Sequence, residues 1–267
     1  MYAFDYHRPA TLKEALSLVA KQEDAKIVAG GHTLIPTMKQ RLAAPGHLID
    51  LGRIPDLVGI ERTPRAVTIG AMTTHGAVAE SADVKEAIPA LSELAALIGD
   101  PAVRHRGTIG GSVANNDPSA DYPAACLALG ATIITSKRRI PAEEYFRGLF
   151  ETALEDGEIV TGVSFPIPHK AAYEKFRNPA SRYALVGVFV AKRPSDIRVA
   201  VTGAGSNGVF RWAEAEEALA KRFSAKSLDG LKAPADDLIS DLHADAEYRA
   251  HLIGVMARRA VQAATER

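Results

Sequence analysis

Two short runs in the first half of the chain, Ala29-Gly30-Gly31-His32-Thr33 and Thr108-Ile109-Gly110-Gly111-Ser112, have the composition of phosphate-binding turns. Glycine lacks a Cβ, so a turn built on a pair of them lets backbone N–H groups come close to an anion and reaches positive φ at little cost. Each run lies where an apolar stretch gives way to a polar or helical one. One such loop alone reads equally well as a tight strand-to-helix turn; two together point to the phosphates of a dinucleotide.

Other chemistries lack their motifs. The eight histidines, His7, His32, His47, His75, His105, His169, His243 and His251, form neither an H-x-H pair nor H-E-x-x-H, so metal binding has no local signature. Neither G-x-S-x-G nor G-x-x-x-x-G-K-[ST] occurs, which leaves the hydrolase elbow and the P-loop unsupported. Cys126 is the single cysteine, so this chain alone builds no disulfide and no Cys₄ iron–sulfur cluster or zinc knot. A redox role therefore requires an organic cofactor or a partner. Cys126 itself falls in the apolar run Ala124-Ala125-Cys126-Leu127-Ala128-Leu129 and reads as an inert core thiol.

Composition narrows the classes further. With 267 residues, 47% hydrophobic, the chain is long enough for one large core or two to three modest ones. Its 32 basic and 32 acidic residues cancel, which argues against nucleic acid or an anionic membrane as the general partner. The basic run Lys137-Arg138-Arg139 reads as a solvated turn. Met1 to Pro9 has no apolar signal core, and no stretch approaches the roughly 18 apolar residues of a membrane span, so a cytoplasmic protein is expected.

The elements that must position the glycine turns follow from periodicity. Thr11 and Glu14 make a capping box ahead of a helix over 11–21. Ala25 to Ala29 reads as a strand, Leu34 to Leu42 as a helix and His47 to Leu51 as a strand, a βαβ unit whose first glycine pair sits at the carboxyl end of its strand. Leu57 to Glu61 and Ala66 to Gly70 read as a hairpin opening a second unit. Ile88, Leu91, Leu94, Ala95 and Ile98 mark an amphipathic helix, the second glycine pair follows, and a helix over Tyr122 to Leu129 runs into a strand over Ala131 to Ser136. Glu158 to Phe165 is one more strand, closed by the stiff Pro166-Ile167-Pro168. Beyond it, Ala172 to Arg177, Tyr183 to Ala191 and Ile197 to Gly203 alternate as a three-stranded antiparallel meander, with helices over 212–221 and 247–264. The loop Gly203 to Gly208 lacks a βαβ continuation and reads as an ordinary turn.

Together, Phe4-Asp5-Tyr6-His7-Arg8-Pro9, Ala29 to Pro36, Thr108 to Ser112, Asp117-Pro118-Ser119-Ala120-Asp121, Glu247-Tyr248-Arg249 and Gly254-Val255-Met256 resemble the FAD-binding medium subunits of the molybdenum hydroxylases, the xanthine dehydrogenase family. The likeness is greatest to the medium chain of aerobic carbon monoxide dehydrogenase. It implies an α+β protein: a two-lobed FAD-binding module of the vanillyl-alcohol-oxidase (PCMH) type, with lobes over 1–54 and 55–168, then a small C-terminal domain over 169–267 made of a three-stranded antiparallel sheet with helices. It also implies noncovalent FAD, held at the pyrophosphate by Ala29, Gly30, Gly31, His32, Thr33 and Leu34 and by Thr108, Ile109, Gly110, Gly111 and Ser112. By the same resemblance Asp121 supplies an acceptor deeper in the site, Val160 and Lys175 lie close to the cofactor, and Tyr183 approaches the flavin ring. No catalytic side chain is required.

The implied role is an electron relay. Electrons from [2Fe-2S] clusters in a small partner subunit pass through FAD to an external acceptor, whether quinone, cytochrome, NAD or oxygen. Substrate is oxidised at a molybdenum cofactor in a large subunit, and the assembly is a dimer of heterotrimers. Two departures from the family pattern are Thr33 in place of Ser and Ser112 in place of Asn; the latter removes an amide able to donate and accept, worth about 0.5–1.5 kcal/mol. The segment Phe176 to Ser181 also departs from the usual composition. Alternatives remain at this level. Asp121 reads equally as a helix N-cap, Lys175 as a solvated strand lysine, and Tyr183 as a packed strand aromatic. His32 could be the covalent flavin anchor used by some oxidases of the wider superfamily. The whole chain could be a self-sufficient flavin oxidase or a cofactor-free assembly protein.

Overall fold

In a computed structural model describing residues 1–266, the N-terminal unit forms around a three-stranded parallel sheet. Strand β1 (Asp5–His7) is followed by helix α1 (Leu12–Lys21), whose N-cap Thr11 accepts the N–H of Glu14 while the Glu14 carboxylate reaches back to the N–H of Ala10. This is a capping-box arrangement shifted by one donor. Strand β2 (Ala25–Val28), helix α2 (Leu34–Lys39) and strand β3 (His47–Asp50) complete the unit in the order β1-β3-β2. The βαβ expectation holds, with α2 one turn shorter than its apolar pattern suggests.

A second sheet takes the antiparallel order β4-β5-β10-β6-β7. Its strands are β4 (Ile60–Arg62), β5 (Ala66–Gly70), β6 (Thr132–Thr135), β7 (Arg139–Pro141) and, after the small β8 (Phe146–Gly148) and β9 (Glu151–Thr152) hairpin, β10 (Val160–Pro166). The hairpin expected from Leu57 begins later than its apolar run, because Pro55–Leu57 closes a 3-10 turn and Gly59 takes φ +137°. Between β5 and β6 lie short helices: α3 (His75–Glu80), α4 (Ala82–Ala87), α5 (Pro89–Ala96), α6 (Pro101–Arg106), α7 (Ile109–Asn115) and α8 (Tyr122–Leu129).

Every residue of α8 is buried, Cys126 included, which raises the thiol's pKa and leaves it inert. An apolar helix without a polar face must be covered on all sides, and the C-terminal region supplies the missing cover. There β11 (Lys170–Arg177), β12 (Ala184–Lys192) and β13 (Ile197–Thr202) form the expected meander, extended by an unforeseen two-residue fourth strand, β14 (Phe210–Arg211). One face of this sheet contributes Ala171, Tyr173, Phe189, Ala191 and Ala200 to the same core as α8. The other face is covered by the long helix over Ala246–Glu266, with Ile253, Met256, Ala257 and Val261 turned inward. No helix among the described residues is long and apolar enough to cross a membrane.

Candidate functional site

The two glycine turns lie against each other. A Cβ on Gly30 would collide with the carbonyl oxygen of Arg106, and one on Gly111 would stand 3.5 Å from the side chain of Ala29. Gly31 holds φ +76°, the left-handed turn that an L side chain resists. The first turn thus needs glycine twice, once for close approach and once for its backbone conformation.

Their backbone donors differ. In the first turn, the N–H groups of His32, Thr33 and Leu34 donate to no group among the described residues, and Thr33 makes no side-chain cap. In the second, Ile109 N–H donates to Thr73 O at 3.1 Å, Gly110 N–H to Ala71 O at 2.8 Å, Gly111 N–H to Thr108 Oγ1 at 3.1 Å and Ser112 N–H to Thr108 O at 3.0 Å. The segment Ala71 to Thr74, leading out of β5, fastens α7 in place. Gly110 is required because a Cβ there would overlap the Ala71 side chain and backbone. The first turn keeps free donors for an anion, whereas the second offers the side-chain hydroxyls of Thr108 and Ser112 on a fixed wall.

Against Gly107, the residue before the second turn, sits His75, 5% exposed, with its N–H on Gly107 O at 2.9 Å. Its ring faces Tyr122 at 5.4 Å, and neither His75 Nδ1 nor Tyr122 Oη has a partner among the described residues. Burial, reinforced by the charges of His32 and Arg104, pulls the His75 pKa down to about 4. The imidazole is therefore neutral near pH 7.

Asp121 and Lys175, 54 positions apart, meet in a buried pair with Nζ 2.9 Å from Oδ2 and side chains only 1% and 4% exposed for Lys175 and Asp121. The Tyr173 hydroxyl donates to the other Asp121 oxygen, and Lys175 Nζ also reaches Leu97 O at 3.3 Å. Burial pushes the Asp121 carboxyl above its ordinary range, while Lys175 and the tyrosine hydroxyl pull it back. The N-cap alternative for Asp121 is not realised, because its backbone is helical and its side chain caps nothing. Nor is Lys175 a solvated strand lysine.

The polar loop ahead of Asp121 is stapled to the C-terminal sheet. Pro118 O accepts from Gly203 N–H and from Thr202 Oγ1, which also bonds Ala120 O at 2.7 Å. Beside this loop opens a cleft of about 320 Å³ whose lining includes Asp117, Ser119, Ser181, Tyr183, Asp241 and Arg249. Tyr183 precedes β12 rather than lying within it and is half exposed, so it is not a packed strand aromatic. Burial of its hydroxyl, with Asp117 and Asp121 nearby, raises its pKa. Val160 is buried at the start of β10, next to Thr161, whose carbonyl holds Ala71 N–H at 2.9 Å.

Sequence reasoning missed Arg249 and Asn116 as structural ties of this region. Arg249 is 2% exposed and donates to Leu185 O, Gly203 O and Asp241. Asn116 ends α7 at φ +44° and donates to Gly148 O and Glu151 O. A polar side chain following a helix that a glycine pair opens was the available signal for Asn116.

The residues present fit a dinucleotide: a cradle that side chains would fill, unspent amides beside it, and a buried carboxylate with lone pairs to spare. Residues 2–168 match the FAD binding domain in molybdopterin dehydrogenase, and residues 171–264 match the CO dehydrogenase flavoprotein C-terminal domain. The chain belongs to the FAD-binding medium-chain family of the molybdenum hydroxylases. Among curated medium chains it is 40% identical to the carbon monoxide dehydrogenase medium chain of Afipia carboxidovorans, covering 99% of this chain and 98% of that one. It is 35% identical to the nicotine 6-hydroxylase medium subunit of Paenarthrobacter nicotinovorans, covering 97% and 96%. The solved structure of reconstituted CO dehydrogenase from Oligotropha carboxidovorans aligns with a TM-score of 0.89 at 38% identity, over 100% of this chain and 99% of that one. The medium-chain fold implied by the family resemblance is thereby borne out, FAD is its cofactor, and the chain is an oxidoreductase subunit of a multi-subunit enzyme. A self-sufficient oxidase and a cofactor-free assembly protein are both set aside.

Proposed function

We propose that this chain relays electrons, through FAD held noncovalently between the glycine turns and Asp121, from an iron–sulfur subunit to an external acceptor. FAD supplies the redox chemistry, accepting electrons from a cluster and passing them on. The chain's own residues bind and orient it. The free N–H groups of His32, Thr33 and Leu34, with the Thr33 hydroxyl, hold the pyrophosphate together with Ala29, Gly30 and Gly31. Thr108, Ile109, Gly110, Gly111 and Ser112 form the opposite wall. Asp121 would accept a hydrogen bond farther along the dinucleotide, with Lys175 favouring the charged form of that carboxylate, while Val160 would lie close to the cofactor and Tyr183 would approach the flavin ring. The partners are a large molybdenum subunit and a small [2Fe-2S] subunit in a cytoplasmic dimer of heterotrimers. The module's lobes span 1–54 and 55–168, and the C-terminal domain spans 169–267.

What carries this reading is the contact between the two turns, with the N–H groups of His32, Thr33 and Leu34 unspent while those of Ile109 to Ser112 are spent. Purification of the native protein tests it. The expected product is a yellow complex containing a large molybdenum subunit and a cysteine-rich small one, from which acid releases FAD without leaving flavin on His32. A colourless chain that neither co-purifies with such subunits nor takes up added FAD would overturn the proposal.

A further inference from the structure

Tyr173 stands on β11 with its side chain in the core shared by the C-terminal sheet and α8. Its hydroxyl reaches Asp121, and the space it occupies exists because its diagonal neighbour on β12, the register partner of Lys175, is Gly187. A Cβ at Gly187 would collide with the tyrosine hydroxyl and come within 2.9 Å of Thr202 Cγ2. Gly187 has neither a positive φ nor a turn to explain it. It lies mid-strand, where glycine is otherwise unfavourable and marks a close approach by another group.

We propose that Tyr173 is a positioning residue for the flavin site: seated over Gly187, its hydroxyl occupies one oxygen of Asp121, so that with Lys175 it fixes the direction in which the carboxylate faces FAD. This rests on the reading that Asp121 bonds the cofactor. The Asp121 oxygens are divided between two donors on one strand, Lys175 Nζ and Tyr173 Oη, two residues apart and on the same face of β11. Each oxygen retains a lone pair for a further donor. The ionisable groups facing this carboxylate are Lys175 and Tyr173 on β11, Tyr122 on α8 and Tyr183 before β12. Of these only Lys175 and Tyr173 donate to it, so the tyrosine hydroxyl is the one neutral donor that favours its ionised form. The C-terminal domain thereby sets the state of a group in the FAD-binding module.

The test measures FAD affinity of the full chain across pH for Tyr173→Phe, Gly187→Ala and Asp121→Asn, each first checked for native circular dichroism. Tyr173→Phe should raise the FAD dissociation constant about three- to tenfold at pH 7, the worth of one hydrogen bond. Its acid limb should move to higher pH, because Asp121 protonates more easily without the hydroxyl, and affinity should recover on the alkaline side. Gly187→Ala should act in the same direction. A Tyr173→Phe profile identical to wild type, or one weakened equally at every pH, would overturn the positioning role while Asp121→Asn still weakened binding. If Asp121→Asn bound FAD as tightly as wild type, the underlying reading of Asp121 would itself be wrong.

Discussion

The first and second glycine turns share a composition and touch each other, yet they spend their backbone donors differently. Gly30 and Gly31 shape a turn whose following N–H groups remain open, whereas the donors of Ile109 to Ser112 are consumed by Ala71, Thr73 and Thr108. A glycine pair therefore has two separable uses: to present amides to an anion, or to let a backbone pack where a side chain would not fit. The first turn is a ligand-binding device supported by the fold. The second is part of the fold that walls the ligand, and it leads through Asn116 to the buried pair of Asp121 and Lys175. Substitutions on the second side should therefore harm the protein without FAD, and those on the first should register mainly when FAD is present.

The largest effect is expected at the far end of the second side. Lys175→Met strips the countercharge from the buried Asp121, and losing one partner of a buried pair costs about 3–5 kcal/mol. Chemical denaturation of the FAD-free protein should show that loss in full; an unchanged midpoint would mean the pair is not part of the folded framework. Next comes a pH effect beside the second turn. His75 is held neutral, with its pKa lowered from 6.5 to about 4, so the unfolded chain binds its proton more readily over that interval. Stability from this group is complete above pH 6.5 and is lost as pH falls toward about 4, to a limit of about 3 kcal/mol. His75→Gln should flatten that part of the FAD-free stability profile. Bound FAD should reduce the slope in the wild type by placing anionic phosphates near the ring. Smaller again, Gly110→Ala forces a methyl into Ala71 and should cost about 1–3 kcal/mol with or without FAD. Equal stability of that variant and wild type would erase the packing role assigned to the second pair.

What was legible in the sequence follows the same division. The β2, α2 and β3 sequence was readable because its signals are local: period-two apolar runs, a glycine pair and helical spacing. The C-terminal meander was readable for the same reason, but β14 was not, since two residues carry no period. That Ala71 and Thr73 occupy the second turn's donors could not be read, because nothing in Ala71-Met72-Thr73-Thr74 says which backbone it meets. Asp121 and Lys175 were reached only through family resemblance. Their pairing arises from the C-terminal sheet packing on α8, a contact 54 positions apart in sequence. Tyr173 stood in an expected strand and Arg249 in a motif of the family resemblance, but neither position told what its side chain ties together until burial and bonding separated them from their neighbours.

The finest discrimination comes from two threonines in corresponding places. Thr108 Oγ1 accepts the N–H of Gly111, so Thr108→Val removes a helix cap and should lower FAD-free stability by about 1 kcal/mol. Thr33 caps nothing, and Thr33→Val should leave FAD-free stability within about 0.5 kcal/mol of wild type. With FAD the order reverses at the first turn. Loss of the Thr33 hydroxyl should raise the FAD dissociation constant about three- to tenfold, since a hydroxyl free of structural duty is free to donate to phosphate. Urea titrations with and without FAD, run on both variants, give all four numbers. If Thr33→Val destabilised the FAD-free chain as much as Thr108→Val, or left FAD affinity untouched, the two turns would be equivalent in kind and the division of labour between them would fail.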